Sequence, residues 1–469
     1  MAEPLVLLQQ QPSDWLIGLD ARRLGDRTLE RLQEIQRYQS VSGSASSPVP
    51  TVLIAEPDPL EFLASFIAAS TAHCPIFLGH PTWTESEWQQ VFHLIQPEAP
   101  PVCNTPGTYL LNSAASPGWI MIPTGGTSGK IRFAIHTWET LSDSVWGVQT
   151  YFEVDSINSC CVLPLYHVSG LMQMMRSLLT GGKLAIVPPK NQDSQDRNQS
   201  LEQILGEINP SDFFLSLVPT QLQRFLQSPP MIVQLAQLQT ILLGGAPAWP
   251  ELLTQSRYAN LHLAPTYGMT ETASQVVTLK PSDFLQRRTG CGQVLPHAKI
   301  LILEANEDGV GAIAIQSKSL ALGYYPDLFT ETRFITDDLG YFDEQGYLHI
   351  VGRNSQKIIT GGENVFPSEV ESAILASGYV KDVSVVGIPD SQWGEVVAAV
   401  YVAIAPNLPR FSPTDSNLEI PPFQAEIQAA IQTTLSRYKQ PKIWRCVDSI
   451  PRNAQGKINQ ITIRQLLGF

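Results

Sequence analysis

Pro123-Thr-Gly-Gly-Thr-Ser-Gly-Lys-Ile-Arg132 is the stretch from which the rest of the chain can be read. A short apolar run, Trp119-Ile-Met-Ile122, leads into it and predicts a buried strand. The segment after it, Phe133 to Val148, is expected to be helical. Positions 124–129 hold three glycines, two threonines and a serine, and Lys130 follows. Such a loop is dense in backbone N–H and hydroxyl donors, and its glycines let the backbone approach closely, so it suits a phosphate. Taken alone it reads more readily as a polar turn between a strand and a helix. It is not a Walker loop, because only three residues separate Gly125 from Gly129 and Ile131 follows Lys130.

The 469-residue length allows two to three domains with ample core. A net charge of −13 argues against a general binder of nucleic acid or membrane surface. The six cysteines show no CxxC and no metal-ligand spacing, which predicts reduced thiols. No basic leader opens the chain and no apolar run reaches ~18 residues, so secretion and membrane spanning are not expected and a cytoplasmic location is.

Residues 1–50 predict little beyond a helix around Arg27–Arg37. Thr51–Ala55, an amphipathic stretch from Pro59 to His73, and Pro75–Leu78 predict a β-α-β unit. Further strands are expected at Cys160–Leu163, Lys183–Val187, Phe213–Val218 and Thr240–Leu243, with helices between and a polar loop at Asn191–Ser200. Such alternation implies parallel sheets covered on both faces. Around 299–350 short strands and Gly/Asp turns predict a small β-rich region. Beyond Gly352 an α+β segment follows, interrupted by a Pro-rich insertion from Pro406 to Pro422.

Further motifs sit at the expected ends of elements. Leu243-Gly-Gly-Ala-Pro247 ends a strand, where ligands of open α/β sheets bind, and its glycines permit a flat surface for a purine. Tyr267-Gly-Met-Thr-Glu-Thr272 puts an aromatic, a hydroxyl and a carboxylate within reach of one another. Magnesium is satisfied by one or two carboxylates plus phosphate oxygens, so Glu271 suffices. Pro164-Leu-Tyr-His-Val-Ser-Gly-Leu171 opens a helix, and His167 alone reads as an ordinary helix-start histidine. Asp337-Asp338 alone reads as a solvated turn, and Lys457 in Pro451-Arg-Asn-Ala-Gln-Gly-Lys457 as a surface lysine.

Together these motifs resemble the adenylate-forming acyl-CoA synthetase superfamily, in family order from residue 123 to 457. Tyr267-Gly-Met-Thr-Glu271 matches letter for letter. The first loop departs at Gly125, Ser128, Ile131 and Arg132, where the family has Ser, Thr, Pro and Lys. The implied fold is α/β: a large N-terminal domain, residues 1–352, of doubly covered parallel sheets plus a small β-barrel-like part. A small mobile α+β C-terminal domain, residues 353–469, would follow. The short first 120 residues imply a trimmed first lobe. The hinge would lie near Arg353–Gln356, with Ser355 or Gln356 where the family carries Asp or Lys.

By the same resemblance, Lys457, Arg132 and His167 would be catalytic. ATP would be held by Thr124, Gly125, Gly126, Thr127, Ser128 and Gly129, by Gly244, Gly245, Ala246 and Pro247, by Tyr267, Gly268, Met269 and Thr270, and by Asp338 and Arg353. Glu271, with Thr127, would hold Mg²⁺. The acyl substrate would meet His167, Ser169, Gly170, Gly245, Thr272 and Gln275. Gly361, Gly362 and Trp393 would line the coenzyme A channel. The implied partners are a small carboxylic acid, ATP and CoA, with no nucleic acid and no membrane.

Leu217-Val-Pro-Thr-Gln-Leu222, Met175-Arg-Ser177 and Tyr267–Leu279 are most similar to members that act on 2-succinylbenzoate in menaquinone and phylloquinone formation. Its second carboxylate would need a donor or cation: Arg176, Arg224 or Gln275. Another aryl- or acyl-CoA ligase, an adenylation module loading a separate carrier protein, and a non-catalytic nucleotide-binding relative stay open.

Overall fold

The computed structural model describes residues 3–41, 49–97, 106–125, 130–187, 197–404, 423–452 and 458–469. Four sheets organise it. In the eight-stranded sheet, Leu16–Ile17, Leu184–Ile186, Asn158–Cys161, Phe213–Leu217, Thr240–Leu243 and Leu263–Met269 run parallel in that spatial order. Ser274–Thr278 and Gln293–Val294 then turn back antiparallel at the edge. The expected strands from Cys160 to Leu243 are all present, within a residue or two of their predicted ends.

The seven-stranded sheet corrects the expectation of parallel sheets throughout. It runs Asp327–Leu328, Gly323–Tyr324, Ile131–His136, Ile120–Gly125, Ile76–Leu78, Thr51–Ala55, Gly107–Leu111. Only the two pairings on either side of Ile76–Leu78 are parallel. Both faces are nonetheless covered, as strand alternation shows. Val52 and Ile54 join a core shared with the helices Trp138–Phe152 and Val168–Thr180. Leu53 and Ala55 join an opposite core with Trp88, Val91 and Ile95 of the helix Glu85–Ile95.

Phe133–Val148 is not one helix. Ile131, Phe133 and Ile135 are buried in one core at alternating positions, while Arg132 between them is exposed. That period of two is a strand, and the helix waits until Trp138, where Thr137 and Thr140 form a reciprocal capping box. Truncating the fully buried Phe133 to Ala would cost about 3–5 kcal/mol. The glycine-rich stretch therefore belongs to a hairpin: Thr124 pairs with Arg132 and Gly125 with Ile131. Its tip, Gly126 to Gly129, lies outside the described residues, as do Asn191 to Asp196, the Pro406–Pro422 insertion and Lys457. Asn198–Ser200 falls in the helix Arg197–Glu207 rather than in a loop.

Ala298–Leu303, Gly311–Ser317, Phe334–Phe342 and Leu348–Arg353 form an antiparallel four-stranded sheet. A five-stranded sheet follows, centred on Gly394–Ala403 and Val380–Asp390. Val397, Ala399 and Tyr401 face one core, and Val396, Ala398 and Val400 the other. All members of those two cores come from Ile358 onward.

Candidate active site

Three of the predicted nucleotide residues meet at one carboxylate. The Tyr267 hydroxyl donates to Asp338 Oδ2 at 2.9 Å, and Arg353 Nε donates to Asp338 Oδ1 at 3.3 Å. The sheet enforces the second contact, because Asp338 and Arg353 are register partners on adjacent strands. Burial, reinforced by the Asp338 charge, pushes the Tyr267 phenol well above its ordinary range, so it stays a donor. Gly244 to Pro247 follow the neighbouring strand at its carboxyl end, and Gly245, Ala246 and Pro247 are exposed there. An exposed loop thus borders the strand that carries Tyr267.

Why the motif reads Tyr-Gly-Met-Thr-Glu is a packing matter. A Cβ on Gly268 would sit 2.1 Å from the Ser274 carbonyl oxygen, so only glycine lets the returning strand close. The turn between carries non-glycine residues at positive φ, Ala273 at 51° and Ser274 at 93°. Thr272 holds it, donating to the carbonyls of Met269 at 3.0 Å and Ser274 at 2.6 Å and accepting from Met269 N at 2.9 Å. Thr272 is fully buried and its hydroxyl serves the turn. Strain of this kind needs such over-determination.

Glu271 is 6% exposed, and its Oε1 accepts a 2.6 Å hydrogen bond from the Tyr324 hydroxyl. Tyr324 pairs with Ala134, two residues beyond Arg132 on the same strand face. The Arg132 guanidinium accordingly lies 4.3 Å from the Tyr324 ring centroid. Loop cation, phenol and carboxylate are therefore stacked in one place. Among the described residues no three His, Cys, Asp or Glu gather to hold a metal. A lone buried carboxylate fits Mg²⁺ that arrives with a nucleotide, whose phosphate oxygens fill the remaining positions.

Behind this site, His136 donates from Nε2 to the Thr270 carbonyl at 2.8 Å, and its Nδ1 faces the Thr140 hydroxyl at 3.0 Å. Burial holds its imidazole down to about 4, consistent with a neutral ring in those roles. His167 caps the helix Val168–Thr180 without a side-chain cap bond. Its ring stands 5.5 Å from that of His80 and 4.8 Å from that of Tyr166. Gln173 donates to the Ser169 carbonyl at 2.9 Å.

Arg176, one turn further along that helix, is 3% exposed and donates from Nη2 to Ser274 Oγ at 3.0 Å and Gln275 Oε1 at 2.8 Å. Among the described residues it makes no salt bridge, and its Nε and Gln275 Nε2 find no partner. Burial lowers its guanidinium to about 10. Arg224 is differently placed, its guanidinium 5.1 Å from the Phe225 ring centroid.

Gly361 N donates to the Trp393 carbonyl at 2.8 Å, and a Cβ on Gly361 would lie 2.8 Å from the indole. Trp393 is 47% exposed and carries Lys442 Nζ 3.9 Å above its ring. Sequence reasoning missed Tyr324, His136 and His80 as site neighbours, whereas Tyr166 falls inside the Pro164–Leu171 motif it singled out. Only His80 had a signal: it follows Gly79 at the carboxyl end of the strand Ile76–Leu78.

Residues 114–325 match the AMP-binding enzyme family and residues 369–457 its C-terminal domain. A 2-succinylbenzoate–CoA ligase of Listeria monocytogenes serotype 4b (strain F2365) is 32% identical over 365 residues, covering 76% of this chain and 71% of that protein. One of Lactococcus lactis subsp. lactis (strain IL1403) is 33% identical over 341 residues, covering 72% and 69%. The chain belongs to the AMP-binding enzyme family. Its fold is that of o-succinylbenzoate CoA synthetase from Bacillus subtilis, solved with the acyl-adenylate intermediate OSB-AMP, at a TM-score of 0.75 and 23% identity over 99% of this chain and 98% of that one. ATP-bound MatB from Rhodopseudomonas palustris shares it at a TM-score of 0.76 and 20% identity, covering 99% and 98%.

Proposed function

We propose that this chain is an AMP-forming acid–thiol ligase acting on 2-succinylbenzoate. One carboxylate of the acid attacks the α-phosphorus of ATP and pyrophosphate leaves. The thiolate of CoA then attacks the acyl carbonyl and AMP leaves, giving 2-succinylbenzoyl-CoA, a precursor of menaquinone or phylloquinone made in the cytoplasm. The protein supplies positions and charges rather than covalent steps. Residues 1–352 hold nucleotide and acid; residues 353–469 are the lid that brings Lys457 for the first step.

Glu271 would hold Mg²⁺, with Thr127, and that ion would neutralise phosphate charge. Arg132, Thr124, Gly125 and the loop residues Gly126, Ser128 and Gly129 would bind the phosphates, and Lys457 would serve the reacting carboxylate. Asp338 accepts from the ribose hydroxyls while Tyr267 and Arg353 hold it still. Gly244, Gly245, Ala246 and Pro247, with Gly268, Met269 and Thr270, border the base. His167, Ser169, Gly170 and Gln275 border the acid, Thr272 shapes their floor, and Gly361, Gly362 and Trp393 face CoA.

The observation that carries the substrate is Arg176. A fully buried guanidinium that meets no carboxylate among the described residues is costly unless a ligand brings one. Arg176 and Gln275 therefore take the second carboxylate, ahead of Arg224. The 2-succinylbenzoate–CoA ligases of Listeria monocytogenes and Lactococcus lactis, 32% and 33% identical to this chain, support the same reading.

The test is CoA-dependent AMP release across aromatic and aliphatic acids, 2-succinylbenzoate included. Preference for another acid would make it a different acyl-CoA ligase. Acyl-adenylate formed without transfer to free CoA would make it a carrier-loading enzyme.

A further inference from the structure

His297 lies outside every motif described above, between the strands Gln293–Val294 and Ala298–Leu303. A Cβ on Gly147 would fall 1.8 Å from its Nδ1, so the imidazole rests on bare helix backbone. One turn earlier on that helix, Ser144 donates to the Ala273 carbonyl at 2.7 Å. Leu295 N donates to the Val276 carbonyl at 2.9 Å, which ties the His297 segment to the strand carrying Gln275. Gly147, Arg176, Gln275 and His297 thus belong to one layer around the turn that follows Glu271.

That layer concentrates unmet polar atoms. Both ring nitrogens of His297, Arg176 Nε, Gln275 Nε2 and Gln173 Oε1 are buried and find no partner among the described residues. Buried polar atoms are normally paired, and several orphans together mark a place made for something absent. Burial and the Arg176 charge hold the His297 imidazole down to about 4, so it is neutral and carries one N–H. The group offers three donors, a charged N–H, an amide NH₂ and an imidazole N–H, against two acceptors, Gln173 Oε1 and the second ring nitrogen of His297. A carboxylate, with its four lone pairs, matches that donor-rich set. A neutral third donor adds a hydrogen bond without burying a second cation beside the guanidinium.

We infer that His297 is a specificity-determining residue, donating an imidazole N–H to the second carboxylate of the acid alongside Arg176 and Gln275. This rests on the proposed function. Gly147 is the positioning residue that makes room for the ring.

The experiment compares kcat/KM for 2-succinylbenzoate with that for 4-oxo-4-phenylbutanoate, which has a single carboxylate. The variants are His297→Phe, His297→Gln, Gly147→Ala and Arg176→Met, each checked for folding by circular dichroism. Removing one hydrogen bond to a charged group costs about tenfold to a hundredfold. His297→Phe should narrow the preference for the diacid by about tenfold or more, through KM rather than kcat. His297→Gln keeps a donor and should retain most of the preference. Gly147→Ala improves helix propensity yet displaces the ring, and should narrow the preference as His297→Phe does. A folded His297→Phe or Gly147→Ala with the wild-type ratio overturns the inference. If Arg176→Met abolishes the preference while His297→Phe keeps it, His297 alone is wrong. A wild-type chain with no preference overturns the substrate reading itself, and this inference with it.

Discussion

Tyr324 and Glu271, 53 positions apart, are joined by a 2.6 Å hydrogen bond between phenol and carboxylate. Burial and the Glu271 charge push the Tyr324 phenol up, so it donates and the carboxylate remains the acceptor. The pair fixes the one carboxylate assigned to magnesium.

Glu271→Gln keeps an oxygen that accepts from Tyr324 but removes the charge. Adenylation should fall by about 10²-fold or more, with a raised magnesium requirement and an unchanged fold. Magnesium-dependent pyrophosphate release measures it. Wild-type turnover at ordinary magnesium would remove Glu271 from the metal site.

Tyr324→Phe leaves the ring under Arg132 and takes away only the donor. Losing one hydrogen bond to a charged group is worth about 1.5–3 kcal/mol, so the magnesium midpoint should rise by about tenfold to a hundredfold. AMP affinity should stay within twofold or so. A shift in AMP affinity as large as the magnesium shift would mean that Tyr324 supports the whole pocket.

Arg176→Met should cost 2-succinylbenzoate up to ~10⁴-fold in kcat/KM, because a site built to pair a polar group rejects its absence strongly. Steady-state kinetics with the diacid decide it. A loss below threefold or so would hand the second carboxylate to Arg224.

Lys457→Ala should slow formation of acyl-adenylate by about 10²–10³-fold. Attack of CoA on supplied acyl-adenylate should proceed at nearly the normal rate. Single-turnover measurement of each half-reaction separates them. Equal slowing of both would show that the lysine does not serve the first step alone.

His136 predicts the acid limb of stability. Its folded value is lowered to about 4 against an ordinary 6.5, so the unfolded chain binds the proton first as pH falls. Stability from this group is full above about 6.5 and declines toward about 4, by on the order of 3 kcal/mol in total. NMR of the labelled imidazole should show no titration above about pH 5. A midpoint near 6.5 would place the ring in solvent.

Periodicity made most of the parallel sheet legible, since its buried strands read as apolar runs ended by turns. It failed at Phe133 because Ile131, Phe133 and Ile135 alternate over only six residues before a helix begins, too short a signal beside the longer pattern. Antiparallel edges such as Gly323–Tyr324 were invisible: two residues carry no period, and their place is set by pairing with Ala134. Tyr267, Glu271, Asp338 and Arg353 were singled out because they stand in short stretches that match the family's motifs, and the fold brings Tyr267 and Arg353 onto Asp338. Tyr324, His136 and His297 were not, because each acquires its surroundings from segments far away in sequence.

Tyr324 belongs to the seven-stranded sheet, and Glu271 follows directly from a strand of the eight-stranded one. The bond between them crosses the seam between the two sheets. A relative slide of about an ångström would stretch it beyond hydrogen-bond length while leaving both sheets internally intact. On warming, turnover should therefore be lost before the fold, which activity and circular dichroism followed along one temperature ramp would show.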